Sequence, residues 1–182
     1  MIYTNLTNKA LKLSYTAHTG QLDTGGIPYI FHPYHLAEQM DNETRSCIAL
    51  LHDVVEDTDI TLDHLSQEFP NQVTDALALL THDSSVDYYD YVKGVCTNLD
   101  ASLVKLADLF HNMDNGRLLG TDISEEKKEK WQKKYKKAID IVLETLVNQT
   151  KDVQEYEPEW KLMQKLLEEN KINFQIGNNK SQ

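Results

Sequence analysis

Apolar residues recur along most of the chain at the three- and four-residue spacing of a helix. Leu6, Ala10, Leu13 and Ala17 set that period for a first helix ending near His18. The stretch TGQLDTGGIPYI, rich in turn residues, reads as a loop. Pro33 suits the first position of a second helix over about 33–40, and a third runs over about 44–55. Thr61 is a natural N-cap for a fourth. The Pro70-Asn71 step ends it, and a fifth covers 73–80. Two more are expected over about 85–97 and 100–113, before a break at Gly116 and Gly120. Ser124-Glu125-Glu126 starts a long charged helix, with acids in the first turn and lysines later, where each suits the helix dipole. It ends in the apolar IDIVLETLV, and an amphipathic helix follows over about 158–169. The polar end of the chain is expected to fray from about 171. No strand pattern persists, so the expected fold class is all-α, a bundle with residues 1–120 as core and 121–182 as helices packed on it.

Composition narrows the function classes. The chain has 182 residues, 40% hydrophobic and 26% charged, enough for one sizeable domain. No apolar run reaches the roughly 20 residues needed to span a bilayer. The N-terminus lacks a basic region followed by an apolar one. A cytoplasmic protein without membrane contact is therefore expected. Cys47 and Cys96 have no metal-ligand spacing and read as reduced thiols. The net charge is −11, and residues 1–120 carry all of it, with 17 acids against 6 lysines and arginines. That argues against nucleic acid as a partner, because phosphate backbones want a basic surface. A small phosphorylated substrate stays open, since a bound metal ion reverses the sign locally. Oligomeric state is not legible.

The candidate chemistry starts at LLHDVVEDT, residues 50–58. On a continuous helix at about 100° per residue, His52, Asp53, Glu56 and Asp57 fall within about 140° of arc, with Val54 and Val55 on the other side. Acids crowded at a helix C-terminus repel one another and oppose the dipole. A metal ion resolves both problems; a solvated acidic helix end is the plain alternative. Asp108 interrupts the apolar LVKLADLFHNMD, and Lys105, Asp108 and Asn112 share its face; by themselves they are equally a surface salt bridge. His32, just before a helix start, is by itself equally a cap or core group. Together, His32, His52, Asp53 and Asp108 offer two imidazoles and two carboxylates, which suit Mn, Fe, Zn or Mg better than a soft metal.

The order His, His-Asp, Asp on helices resembles the HD superfamily of metal-dependent phosphohydrolases. The stretches AHTGQ (17–21), GIPYIFHP (26–33), LLHDVVEDT, VKLAD (104–108) and HNM (111–113) are similar to the hydrolase domain of RelA/SpoT proteins, over about residues 8–120. Neither a synthetase nor a regulatory domain is visible, so the closest architecture is a stand-alone small alarmone hydrolase of the stringent response. The resemblance implies an HD-domain bundle with a metal, Mn first, held between helices by His32, His52, Asp53 and Asp108. It implies that Glu56 and Asp57 orient or deprotonate water, and that Asn112 contacts a nucleotide. The implied activity is (p)ppGpp 3′-pyrophosphohydrolase. The family's Arg-Lys pair after the first motif is here Asp23-Thr24, and the Arg after the later Asp is Leu109. That departure makes ppApp, NADPH or another nucleotide the alternative substrates, and a non-catalytic nucleotide-binding module is the reading from another class. Lys105 and Arg117 are candidate substrate contacts, Arg117 equally a helix-end cap. His18 reads as site support or loop anchor. Tyr88, Tyr89 and Tyr91 read as core packing or cleft border. WQKKYKK (131–137) reads as the solvated face of its helix.

Overall fold

The helix whose last seven residues are all buried forms the centre of the molecule. α3 (Glu43–Leu51), capped by Asn42, buries every residue from Arg45 to Leu51. Around it in the computed structural model stand α1 (Asn5–Ala17), α2 (Phe31–Gln39), α6 (Asn71–Leu80) and α8 (Leu99–Met113). Residues 1–172 are described; most of the tail expected to fray from about 171 lies outside them. Short α5 (Leu62–Ser66), capped by Thr61 as expected, leads into α6, and α7 (Tyr88–Val95) follows. α8 is buried from Ala101 to Phe110 except at Lys105. The long α9 (Glu125–Gln149) and α10 (Glu157–Glu169) both pack on it. Among the described residues the only extended pairing is a single Leu22–Pro28 bridge inside the loop after α1. No helix among the described residues is long and apolar enough to cross a membrane, and both cysteines are buried and free.

Two helix boundaries differ from expectation, and both matter to the site. α2 begins at Phe31, two residues before Pro33. Proline is tolerated there because the first four N–H groups of a helix have no partner to lose. His32 is consequently inside the first turn, where its side chain is buried. The helix expected over 44–55 stops at Leu51, and α4 (Val54–Asp57) restarts after a turn at His52-Asp53. His52 Nδ1 lies 2.9 Å from the Ala49 carbonyl, which Asp53 N–H would take in an unbroken helix. The arc computed for a continuous helix therefore does not describe how these side chains converge.

Buried Arg45 fixes the far end of the bundle. Its guanidinium meets Asp41, Asp100 at the start of α8, and Glu159 at the start of α10. Burial alone would lower its pKa, but the three carboxylates outweigh that and raise it.

Candidate metal centre and its cleft

His32 from α2 and His52 and Asp53 from the turn after α3 bring their ligand atoms within 4.8 Å of one another, and Asp108 from the middle of α8 adjoins this trio at His32. His32 Nε2 is 3.2 Å from His52 Nε2, 3.2 Å from Asp108 Oδ1 and 3.8 Å from Asp53 Oδ2. His52 Nε2 is 2.8 Å from Asp53 Oδ2. Such spacings are those expected of ligands about 2.0–2.2 Å from one shared ion. A donor set of two imidazole nitrogens and two carboxylate oxygens fits a borderline divalent cation.

The surroundings orient these donors. A carbonyl only accepts, so His52 carries a proton on Nδ1 toward Ala49 and aims Nε2 inward. His32 Nδ1 is 2.6 Å from His111 Nδ1, and the two rings stack at 15°. Burial, then His32 and Arg117, push the His111 pKa down to about 3. Neutral His111 can thus accept from His32 Nδ1–H, which leaves the His32 Nε2 lone pair facing the cluster. Tyr29 donates its hydroxyl to Asp53. Asp108 accepts from Lys105 on Oδ2, at 2.8 Å, and from Asn112 on Oδ1, the oxygen that faces His32.

The electrostatics are those of a cation site. Burial opposes protonation of His52, yet Asp53 outweighs it, and the pKa is pushed up to about 9. A cation at the cluster therefore displaces a proton from His52. Burial would raise both carboxylates, but His52 holds Asp53, and Lys105 holds Asp108, far below the usual carboxylate range. Asp57 goes the other way, raised by burial and by Asp53 and Glu56.

The cluster opens into a cleft of about 230 Å³. Asp53, Glu56, Asp57, Asp108, Lys105 and Asn112 line it together with Lys134 and Tyr135 of α9. Glu56 is exposed and accepts the His82 amide N–H at 2.9 Å. An adjoining cavity of about 80 Å³ shares Asn112 and Tyr135 and is bordered by Asp23, Thr24, Arg117 and Trp131. Arg117 is not on a continuation of α8. It sits on a short 3-10 helix (Asn115–Leu118) and pairs with Asp23 at 2.8 Å. His18 anchors the loop and reaches the site indirectly: Nδ1 binds Gln21 Oε1 at 2.7 Å, and Gln21 donates to the Asp57 carbonyl.

Of the nine residues singled out as ligands, water-handling carboxylates or substrate contacts, seven line these two cavities, while His32 and His52 are buried and line neither. Tyr88 and Tyr91 pack in the bundle and also border the cleft. The reading of WQKKYKK as a solvated face is corrected: Trp131, Lys134 and Tyr135 are half-buried in the cavity walls. His111, in the HNM stretch, carries no role in the sequence pattern; its position one turn after Asp108 is the signal that marks it. Nothing in the local sequence marked Lys134.

Comparison with known proteins agrees with this geometry. No family model matches the chain. It is 32% identical over 121 residues, 58% of its length, to the bifunctional (p)ppGpp synthase/hydrolase SpoT of Escherichia coli. It is 31% identical over 128 residues, 63% of its length, to a probable GTP pyrophosphokinase of Mycobacterium leprae. The chain spans only 17% and 16% of those relatives. A solved structure of a metazoan ortholog of SpoT that hydrolyzes ppGpp superposes with a TM-score of 0.70 at 22% identity, over 95% of this chain and 99% of that one. The chain is thus similar to RelA/SpoT proteins over more than half its length and shares the fold of the SpoT ortholog. Its His-Asp pair, His52-Asp53, is placed where α3 breaks.

Proposed function

We propose that this chain is an HD-type, metal-dependent pyrophosphohydrolase for a nucleotide bearing a 3′-pyrophosphate, with (p)ppGpp as the leading substrate and Mn²⁺ as the leading metal, acting in the cytoplasm. What supports the reading is the His32, His52 and Asp53 trio, with Asp108 beside His32, next to a cleft that Asp53, Asp108, Glu56 and Asp57 line. A divalent ion held by His32, His52, Asp53 and Asp108 supplies Lewis acidity and acidifies water. Glu56 and Asp57, one turn beyond the His-Asp pair, take the proton of the attacking water. Water oxygen bonds to phosphorus, the bond to the ribose 3′ oxygen breaks, and that oxygen regains a proton as pyrophosphate leaves. Asn112, at the junction of the two cavities, binds the nucleotide between them. Lys105 is placed to neutralise Asp108 and border the phosphate path. Residues 1–120 hold the metal-binding groups, and the C-terminal helices complete the cleft.

The base is a second question. Asp23 stands where the family carries arginine, and it occupies Arg117, so ppApp and NADPH belong in the same assay. Purified protein with Mn²⁺ is expected to release pyrophosphate from ppGpp or ppApp, or phosphate from NADPH, and Asp53→Ala is expected to be silent. Release from none of the three, with Asp53→Ala binding nucleotide as tightly as the wild type, would overturn the enzyme reading in favour of a binding module.

A further inference from the structure

Three cations face the two joined cavities, and two are committed. Lys105 Nζ is 2.8 Å from Asp108 Oδ2, with its side chain 12% exposed. Arg117 is 2.8 Å from Asp23 and also bonds the His111 carbonyl and Asn112 Oδ1, each at 3.2 Å. Lys134 differs. It reaches into the cleft from α9, and its Nζ rests 3.7 Å from the centroid of the Tyr88 ring. No carboxylate among the described residues lies within 4.0 Å of it.

A half-buried ammonium that rests on two aromatic rings, Tyr88 and Tyr135, and feels Glu56 and Asp108 only from beyond 4.0 Å is under-compensated. A cation–π contact is worth about 0.5–2 kcal/mol, less than a charge-assisted bond to an anion. Burial and the neighbouring Lys105 lower its pKa, as expected of a cation short of counter-charge. The carboxylates of the cleft, Asp53, Glu56, Asp57 and Asp108, are set against only Lys105 and Lys134. A divalent ion would bring the lining to neutrality, and a polyanionic ligand then needs a cation not already paired.

We propose that Lys134 is a phosphate-binding residue that grips the distal phosphoryl group of the substrate pyrophosphate, while the proximal group lies at the His/Asp cluster. This rests on the pyrophosphohydrolase reading above. Lysine suits the task as a compact point charge on a flexible stem, able to leave the Tyr88 face when phosphate arrives. The contact selects a pyrophosphate over a single phosphate, because a single phosphate held at the cluster has no second phosphoryl group to offer Lys134.

The test is calorimetric titration of inorganic pyrophosphate and inorganic phosphate, with magnesium in excess, into the full chain. Lys134→Gln is expected to weaken pyrophosphate about tenfold or more, with inorganic phosphate changed less than about twofold. Lys134→Arg should recover most of the loss, and exposed Lys136→Gln should change nothing. Tyr88→Leu removes the ring but leaves the charge, so it should lower the melting temperature and keep pyrophosphate affinity. Equal pyrophosphate affinity in Lys134→Gln and wild type, or equal losses for both anions, overturns the proposal. So does a loss in Tyr88→Leu matching that in Lys134→Gln, which would make the lysine a packing element. Lys134-dependent pyrophosphate binding by a wild type that hydrolyses no nucleotide would support this role while sinking the hydrolase reading.

Discussion

The Asp23–Arg117 pair joins the loop after α1 to the 3-10 helix that follows α8, and its strength can be measured as a coupling. Asp23 Oδ2 is 2.8 Å from Arg117 Nη2, while Oδ1 accepts the N–H groups of Gly25 and Ile27 at 2.8 and 2.9 Å. The two side chains are 11% and 22% exposed. Two unit charges about 4 Å apart attract by about 4 kcal/mol at an effective dielectric of 20. Desolvation and the remaining exposure cut the net coupling to about 1–2 kcal/mol. Asp23→Asn preserves shape and one acceptor, so it isolates the charge; Arg117→Gln does the same from the other side. In a chain of this size about 1–2 kcal/mol lowers the melting temperature by roughly 2–8 °C. The double variant should lose about 1–2 kcal/mol less than the sum of the singles. Asp23→Arg alone sets a second guanidinium against Arg117 and should be worse than Asp23→Asn; adding Arg117→Asp should recover part of the loss.

Acidity supplies an independent check on the same pair. Burial pulls the Asp23 pKa up, but the Ile27 N–H and Arg117 more than offset it and hold it below 3.8. The contribution is therefore fully present above about 3.8 and is lost as pH falls through the lower folded value. The difference between wild type and Asp23→Asn should shrink across that acid window. Thermal unfolding followed by circular dichroism reads both experiments. Additivity of the single variants within about 0.5 kcal/mol, or a difference that does not shrink in acid, would refute the coupling.

Glu56→Gln should keep its bond to the His82 amide and its bound metal, yet lose about 10²–10⁴ in turnover; metal loss by elemental analysis would contradict the assigned role. His111→Phe keeps a ring against His32 but removes the nitrogen at 2.6 Å, so metal affinity measured by competition with a chelator should fall about 10–100-fold. Arg45→Ala strands Asp41, Asp100 and Glu159 without their shared cation and should cost about 3–5 kcal/mol in thermal or denaturant unfolding. A loss below about 1 kcal/mol would show that those carboxylates simply reach solvent.

Much of the fold and the centre of the site could be read from the order of residues, for local reasons. Apolar spacing marks helices because burial of one face repeats with the helical turn, and side chains at Ser124, Thr61 and Asn98 cap backbone groups next to them. His52 and Asp53 are adjacent in the chain, so an acid-imidazole pair ending an apolar helix is visible without coordinates. Other features depend on what lies across the fold. The break after Leu51 follows from a side-chain bond to Ala49 that periodicity cannot register. Arg117 reads as a candidate phosphate contact until Asp23, 94 residues away, is found against it. WQKKYKK has the composition of a solvated surface. Only the packing of α9 on α8 turns Trp131, Lys134 and Tyr135 into cleft walls. The sequence by itself determined which groups could bind a metal and which segments are helical, because both rest on near neighbours. The tertiary structure alone decided which cations are already paired and which one faces the cleft unpaired, because charge compensation depends on distance in space.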